Sequence, residues 1–259
     1  MPPVVSGLAL TPVKGTRLQT VDSVALEPTG VRLNRRFFLI DDHDRMINGK
    51  HLGDLNAVVS AYSEPERRLR LQLPGGHVLE ANVRLGDEVQ TKFYSRSAGA
   101  RLVEGPWSSA LSELVGRPVR LVEADEQGAV DRGARGAVSL ISTGSLRRLA
   151  EQGGCDDVDP RRFRMLIEVD GLDAHAEDAW VGSAVRVGEQ ARVRFEGHVG
   201  RCLITSRDPV TGVIDLPTLD ILGEYRRDLD TTEPLPFGIY GRVLEPGTVR
   251  LGDAVAPEG

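Results

Sequence analysis

VRLGDEV (residues 83–89), VRVGEQA (185–191) and VRLGDAV (249–255) are three copies of one pattern, V-R-[LV]-G-[DE]-x-[AV]. Each reads as a strand, a tight turn and a second strand, because glycine reaches positive φ without a steric cost and the apolar flanks face a core. Recurrence in both halves predicts a β-barrel-like build throughout. The copies are too few and too irregularly spaced for a solenoid. From residue 4 to about residue 103, short β-branched runs are punctuated by Gly, Pro, Asn and Asp, which predicts a mostly antiparallel β region. VVSGLALTPV, SVALEP, GVRLNRRFFLID, NAVVSAYSE, RRLRLQLPGGHVLEANV and EVQTKFYS are its expected strands, with LPGGH as a hairpin turn. PWSSALSELVG (106–116) has apolar residues spaced along one helical face and a stop at Gly116. Beyond it, PVRLVEA reads as a strand and AVSLISTGSLRRLAEQGG as a strand, a Ser/Thr cap and a helix. FRMLIEVDG and FGIYGRVLEPG read as strands, with a helix from Pro217 to about Arg227 between them. The expected fold class is mostly β with an α+β portion. Asp125–Gly136, polar and glycine-rich, is a candidate lid.

Composition narrows the function. A chain of 259 residues accommodates one large or two small domains and a substantial core, so it needs no disulfide staple. Its net charge of −6 and pI near 5.5 argue against a general nucleic-acid binder. Two cysteines and five scattered histidines form neither a disulfide framework nor a zinc-ligand spacing. The segment MPPVVSGLALTPVKG has no basic stretch ahead of its short apolar run, and no run reaches a membrane-span length. The expectation is a cytoplasmic protein with no membrane or nucleic-acid partner, acting on a small molecule.

FEGHVGRCLITSRDPVTG (195–212) holds the one reactive side chain in a strongly patterned frame. It reads as a strand carrying Cys202, flanked by Arg201 and Arg207 and closed by an Asp-Pro-x-Thr-Gly turn. A thiolate there would be stabilised by cations and would be a soft metal ligand. The other reading is a buried structural cysteine beside solvated arginines. Ser142 or Thr143 stands at a helix N-terminus, either as an anion contact or as a plain cap. His198 shares a strand face with Cys202 if the strand is regular. Asp178 and Trp180 are candidates for a site wall or for packing, Asp208 for a turn-former or a proton donor, and Tyr240 for the core.

PVKG (12–15), NRRFFLID (34–41), FRMLIEVDG (163–171), AEDAW (176–180), GRCLITSRDPVTG (200–212) and FGIYGRVLEPGTVRLGDAV (237–255) resemble, in this order, the MOSC proteins. These are named for the molybdenum cofactor sulfurase C-terminal domain, here with the N-terminal β-barrel domain that often precedes it. The resemblance implies an N-terminal domain over 1–120 and a MOSC domain over 121–259. It implies a molybdenum cofactor (molybdopterin) whose metal is ligated by Cys202. Lys14 and Arg36 match positions contacting the pterin's phosphate and ring, and Arg164 matches another anion-contacting position. Arg201, Thr205, Ser142 and Thr143 complete the implied cofactor set. The sequence differs from the common family pattern at Gly15, at Met165-Leu166 and at Gly200.

By similarity to the amidoxime-reducing members, the implied activity is reduction of N-hydroxylated compounds such as amidoximes. Two cysteines cannot hold an iron–sulfur cluster of the ferredoxin type, so electrons must come from a separate reductase or ferredoxin-like partner. The alternative is a non-catalytic carrier of molybdenum cofactor or sulfur, with Cys202 as anchor or persulfide site. A third reading is an interaction scaffold with an inert cysteine.

Overall fold

The computed structural model describes residues 2–47, 49–93, 96–125, 133–231 and 233–258. Most of the candidate lid at 125–136 lies outside them. Strands β1 (Val4–Leu10), β2 (Gln19–Thr20) and β3 (Ser23–Leu26) come first, and two of them are used far from their sequence neighbours. β1 pairs antiparallel with Ile167–Asp170, and β3 with Gly247–Arg250.

The next strands form a lobe of their own. β4 (Phe37–Ile40), β5 (Met46–Ile47), β9 (Arg84–Phe93), β10 (Arg96–Glu104) and β11 (Arg120–Ala124) make a sheet in the order β5-β4-β11-β10-β9, while β6 (Val59–Ser63), β7 (Arg68–Gln72) and β8 (Val78–Asn82) make a smaller one. The unbroken apolar run of β4 follows from burial on both faces. Phe37 and Leu39 enter a core with Leu55, Leu69, Trp107 and Leu121, whereas Phe38 and Ile40 meet Phe93 and Val122. Helix α1 (Trp107–Val115) closes the larger core and ends at Gly116, whose φ of 69° suits a glycine C-cap.

The second lobe is an eight-stranded sheet, built from β12 (Val138–Ser142), β13 (Ile167–Asp170), β14 (Ala184–Val187), β15 (Ala191–Gly200), β16 (Pro236–Glu245) and β18 (Val255–Pro257) with β1 and β2. Its order is β18-β14-β15-β16-β12-β13-β1-β2, and β17 (Gly247–Arg250) pairs separately with β3. β12 and β13 are parallel, joined through helix α2 (Thr143–Gly153), as a parallel pair requires a crossover. One face of the sheet packs with Val24, Leu26 and Val249. On the other, Ile141, Phe163, Met165 and Phe237 lie under α2 and α3 (Thr218–Tyr225). The architecture is mostly β with an α+β second portion, as expected.

Four sequence expectations differ from the structure. The copy at 83–89 makes no turn: β9 runs through Gly86, and its pairing with β10 slips there, so the glycine serves a bulge. The copy at 185–191 is a hairpin with Gly188 at φ 68°, and the copy at 249–255 turns at Gly252 between strands with different partners. Val31–Arg36 is not strand, and Arg35 has a left-handed φ of 58°. The expected list also lacked β10. Finally, β15 stops at Gly200, so Cys202 lies beyond the strand.

Candidate functional site at Cys202

Residue 200 marks where the chain leaves the sheet. A Cβ on Gly200 would lie 2.6 Å from Glu233 Oε2 and 3.0 Å from the Pro234 carbonyl, so glycine lets the two segments approach closely. The Arg201 N–H donates to that same carbonyl at 3.1 Å. Cys202 then heads a 3-10 turn, Leu203–Ser206. Its carbonyl accepts from Thr205 N and from Thr205 Oγ1, both at 3.0 Å, so Thr205 holds the turn by a local hydroxyl bond. The cysteine is exposed, so the buried structural reading does not apply. Register shifts between Phe195 and Gly200 put His198 elsewhere: it is buried, with Nε2 3.4 Å from Asp178 Oδ1.

The turn that follows is locally closed. Asp208 Oδ1 accepts from Val210 N at 3.0 Å, Thr211 N at 2.6 Å and Thr211 Oγ1 at 2.8 Å. Partial burial raises this carboxyl, but the hydrogen bonds from Thr211 and Val210 outweigh it and hold it below its ordinary value. Asp208 is therefore a turn-former and not a proton donor.

The first lobe reaches this turn. A Cβ on Gly49 would sit 2.8 Å from Ile204 Cδ1, and the Gly15 carbonyl lies beyond at 3.9 Å. Gly15 itself has φ 96° with Leu55 close by, which explains glycine where the family pattern has a polar residue. Arg164 Nη2 donates to the Thr16 carbonyl at 2.8 Å, and Arg35 Nη2 donates to the Arg164 carbonyl at 2.8 Å. Thr16, Arg164 and Arg35 are thus linked in series across the lobes, and Gly49 lies between Ile204 of the Cys202 turn and Gly15. Lys14 is half-buried, its N–H donating to Phe37 O at 2.8 Å.

Further implied residues also have partners within the chain. Arg36 is held by Glu123, at 2.5 Å, and by Glu64, at 3.0 Å, and it lies over the Tyr62 ring. Arg201 turns inward: Nε donates to Phe237 O at 2.8 Å, Nη1 to Phe163 O at 2.9 Å and Nη2 to Met165 Sδ at 3.2 Å, with its guanidinium over Phe163. Met165, another departure from the family pattern, is thereby used. Ser142 caps α2 and donates to Glu177 Oε2 at 2.7 Å, while Ser145 Oγ donates to Glu177 Oε1 at 2.7 Å. A fully buried carboxylate of the chain itself occupies that helix N-terminus. Thr143 Oγ1 donates to Asp170.

Two positions that organise this region escaped the sequence reading. Arg35 is indistinguishable from Arg36 by type, and only the left-handed backbone sends it toward the other lobe. Glu177 lies within AEDAW, but nothing local connects it to Ser142. Trp180 packs in the core beside Phe195, and Tyr240 lies across Gly197.

Among the described residues no group of three or more His, Cys, Asp or Glu is arranged to hold a metal ion. An exposed thiol on a fixed turn offers one soft ligand. That donor set fits a metal whose remaining ligands come with an anionic cofactor.

A model of the MOSC N-terminal β-barrel domain matches residues 3–117, and one of the MOSC domain matches residues 127–256. The chain belongs to the MOSC family. A similar relative is mitochondrial amidoxime reducing component 2 of Homo sapiens, 41% identical over 100 residues, which is 36% of this chain and 29% of that protein. The match therefore spans less than a third of that relative's length. The protein of the same name in Bos taurus is 27% identical over 285 residues, covering 97% of this MOSC chain and 82% of the relative. Among solved structures, the YuaD protein of Bacillus subtilis superposes with a TM-score of 0.47 at 13% identity, over 98% of this chain and 94% of that one.

Proposed function

We propose that this MOSC protein is a molybdenum-cofactor-dependent reductase of N-hydroxylated compounds of the amidoxime type. The observation that carries the reading is the exposed Cys202 on a hydrogen-bonded turn that both lobes contact. The relatives named above, amidoxime reducing components, support the substrate class. When bound, the cofactor would supply a two-electron centre for removing the hydroxyl oxygen as water. Cys202 would hold its metal, with Thr205 fixing the thiol's direction through the Cys202 carbonyl. Lys14 would bind an anionic group as a point charge, and Arg164, steadied by Thr16 and Arg35, would add a second cation. Converting N–OH to N–H consumes two electrons and two protons and releases water. With two cysteines in the chain, a separate reductase or ferredoxin-like protein would deliver the electrons.

The second reading, a carrier of cofactor or sulfur, is favoured by one specific observation. Arg36, Ser142, Thr143 and Arg201 are all engaged inside the protein, which leaves fewer groups to orient a cofactor for turnover. Expression in a cofactor-producing host separates the two. Stoichiometric molybdenum that is lost in Cys202→Ala, together with benzamidoxime reduction by an artificial electron donor, is the expected result. Metal without reduction selects the carrier, and absence of both metal and pterin rejects the cofactor.

A further inference from the structure

Arg207 follows Cys202 in the same motif, and its guanidinium is spent on two carbonyls from opposite lobes instead of on a carboxylate. Nη1 donates to Gly212 O at 2.7 Å, closing the Asp-Pro-Val-Thr-Gly turn, and Nη2 donates to Lys50 O at 3.3 Å in the first lobe. Glycine makes room for this. A Cβ on Gly53 would lie 2.5 Å from Arg207 Nη1 and 2.5 Å from Gly212 O, and one on Gly212 would lie 2.0 Å from Gly53 O.

Two more side chains cross the same seam. Asn56 Nδ2 donates to Asp208 O at 3.1 Å, and Arg17 Nη2 donates to Val210 O at 3.0 Å. The carbonyls of residues 208, 210 and 212 are thus each taken by one side chain, two of them from the first lobe. On the cysteine side, the Arg207 N–H donates to Ile204 O at 3.2 Å, and Ile204 packs on Gly49. The turn that presents the thiol is fixed at both ends, and Arg207 belongs to both.

We propose that Arg207, seated in the space left by Gly53, is a positioning residue for Cys202: it locks the cysteine turn onto the first lobe and so fixes where the thiol is presented. Its consequence for cofactor retention rests on the function proposed above. Its consequence for the thiol does not. A lysine at this position keeps the charge but cannot span two carbonyls with a planar fork.

The experiment uses the full chain as Arg207→Lys, Arg207→Gln and Gly53→Ala. Iodoacetamide labelling of the cofactor-free protein, followed by mass spectrometry, gives the Cys202 rate relative to half-buried Cys155, and molybdenum content is measured after expression in a cofactor-producing host. The expected result is a Cys202 labelling rate that departs from the parent's by about twofold or more in Arg207→Gln and Gly53→Ala, because an exposed thiol answers to the geometry and charge its turn presents, with Arg207→Lys between these and the parent and Cys155 unchanged. Molybdenum content falls in the same order. Unchanged Cys202 labelling in any folded variant of the three overturns the proposal, as does an equal rise at Cys155, which would mean general loosening. If the parent chain holds no molybdenum, the proposed function fails while the labelling ratio still decides the role of Arg207.

Discussion

Substituting Arg201 by leucine separates a ligand-binding arginine from a structural one. In the structure its guanidinium is buried and serves the Phe163 and Phe237 carbonyls and Met165 Sδ while lying over the Phe163 ring. Leucine leaves two buried carbonyls without donors, at roughly 1–3 kcal/mol each. It also removes a cation–π contact worth about 1 kcal/mol. Added apolar contact offsets part of this, and the net loss expected is about 3–5 kcal/mol. For a chain of this size that corresponds to a fall in Tm of about 10 °C. The assay is thermal unfolding of the cofactor-free protein followed by circular dichroism, with Arg201→Lys expected to fall between parent and leucine variant. A leucine variant that melts with the parent but no longer retains molybdenum would refute the assignment and return Arg201 to the cofactor.

Glu177→Ala should cost about 2–4 kcal/mol in urea unfolding, because the hydroxyls of Ser142 and Ser145 and the Ser142 N–H lose one shared buried acceptor. Two groups should tilt stability with pH in opposite senses. Burial, reinforced by the charge of Arg226, depresses His175 from 6.5 to about 4, so the unfolded chain takes up a proton that the folded one resists. Stability from this group is lost as the pH falls from 6.5 toward 4, and His175→Phe should flatten that part of a denaturation series. Burial, aided by the charge of Asp159, raises Glu168 from 4.5 to about 7, so its contribution is present at low pH and lost as the pH rises through that interval. Glu168→Gln should therefore gain stability relative to the parent between pH 5 and 7, and an unchanged difference across that range would count against the raised value. Trp107→Ala, which empties a fully buried site in the first lobe, should cost about 3–5 kcal/mol by the same measurement.

Much of the fold was legible because local chemistry and tertiary use coincided. LPGGH and VRVGEQA turn where glycine permits it, and α1 and α2 end at Gly116 and Gly154 in left-handed caps. The copy at 83–89 shows the limit: identical letters give a bulged strand when a partner strand continues past the glycine. The apolar neighbours of Cys202 read as a strand, yet the sheet ends at Gly200. The decisive contact, between Gly200 and the Glu233–Pro234 segment, is made by residues distant in sequence. The site was legible as residue types but not as directions. Arg36 and Arg35 are equivalent letters, yet one is held by Glu123 and the other reaches Arg164. Ser142 was readable as a cap, whereas its acceptor lies 35 residues away.

The placement of β1 beside β13, and of β3 beside β17, has a consequence for how the molecule comes into being. Residues 4–10 wait for residues 167–170, and residues 23–26 wait for residues 247–250, before either has a neighbour to lie against. During synthesis the lobe that carries the cysteine therefore cannot close until nearly the whole chain has left the ribosome, and pairing at such sequence separation makes its closure slow. The intervening lobe, whose two sheets are complete once residue 124 has emerged, is free to form first and to hold the two ends within reach of each other.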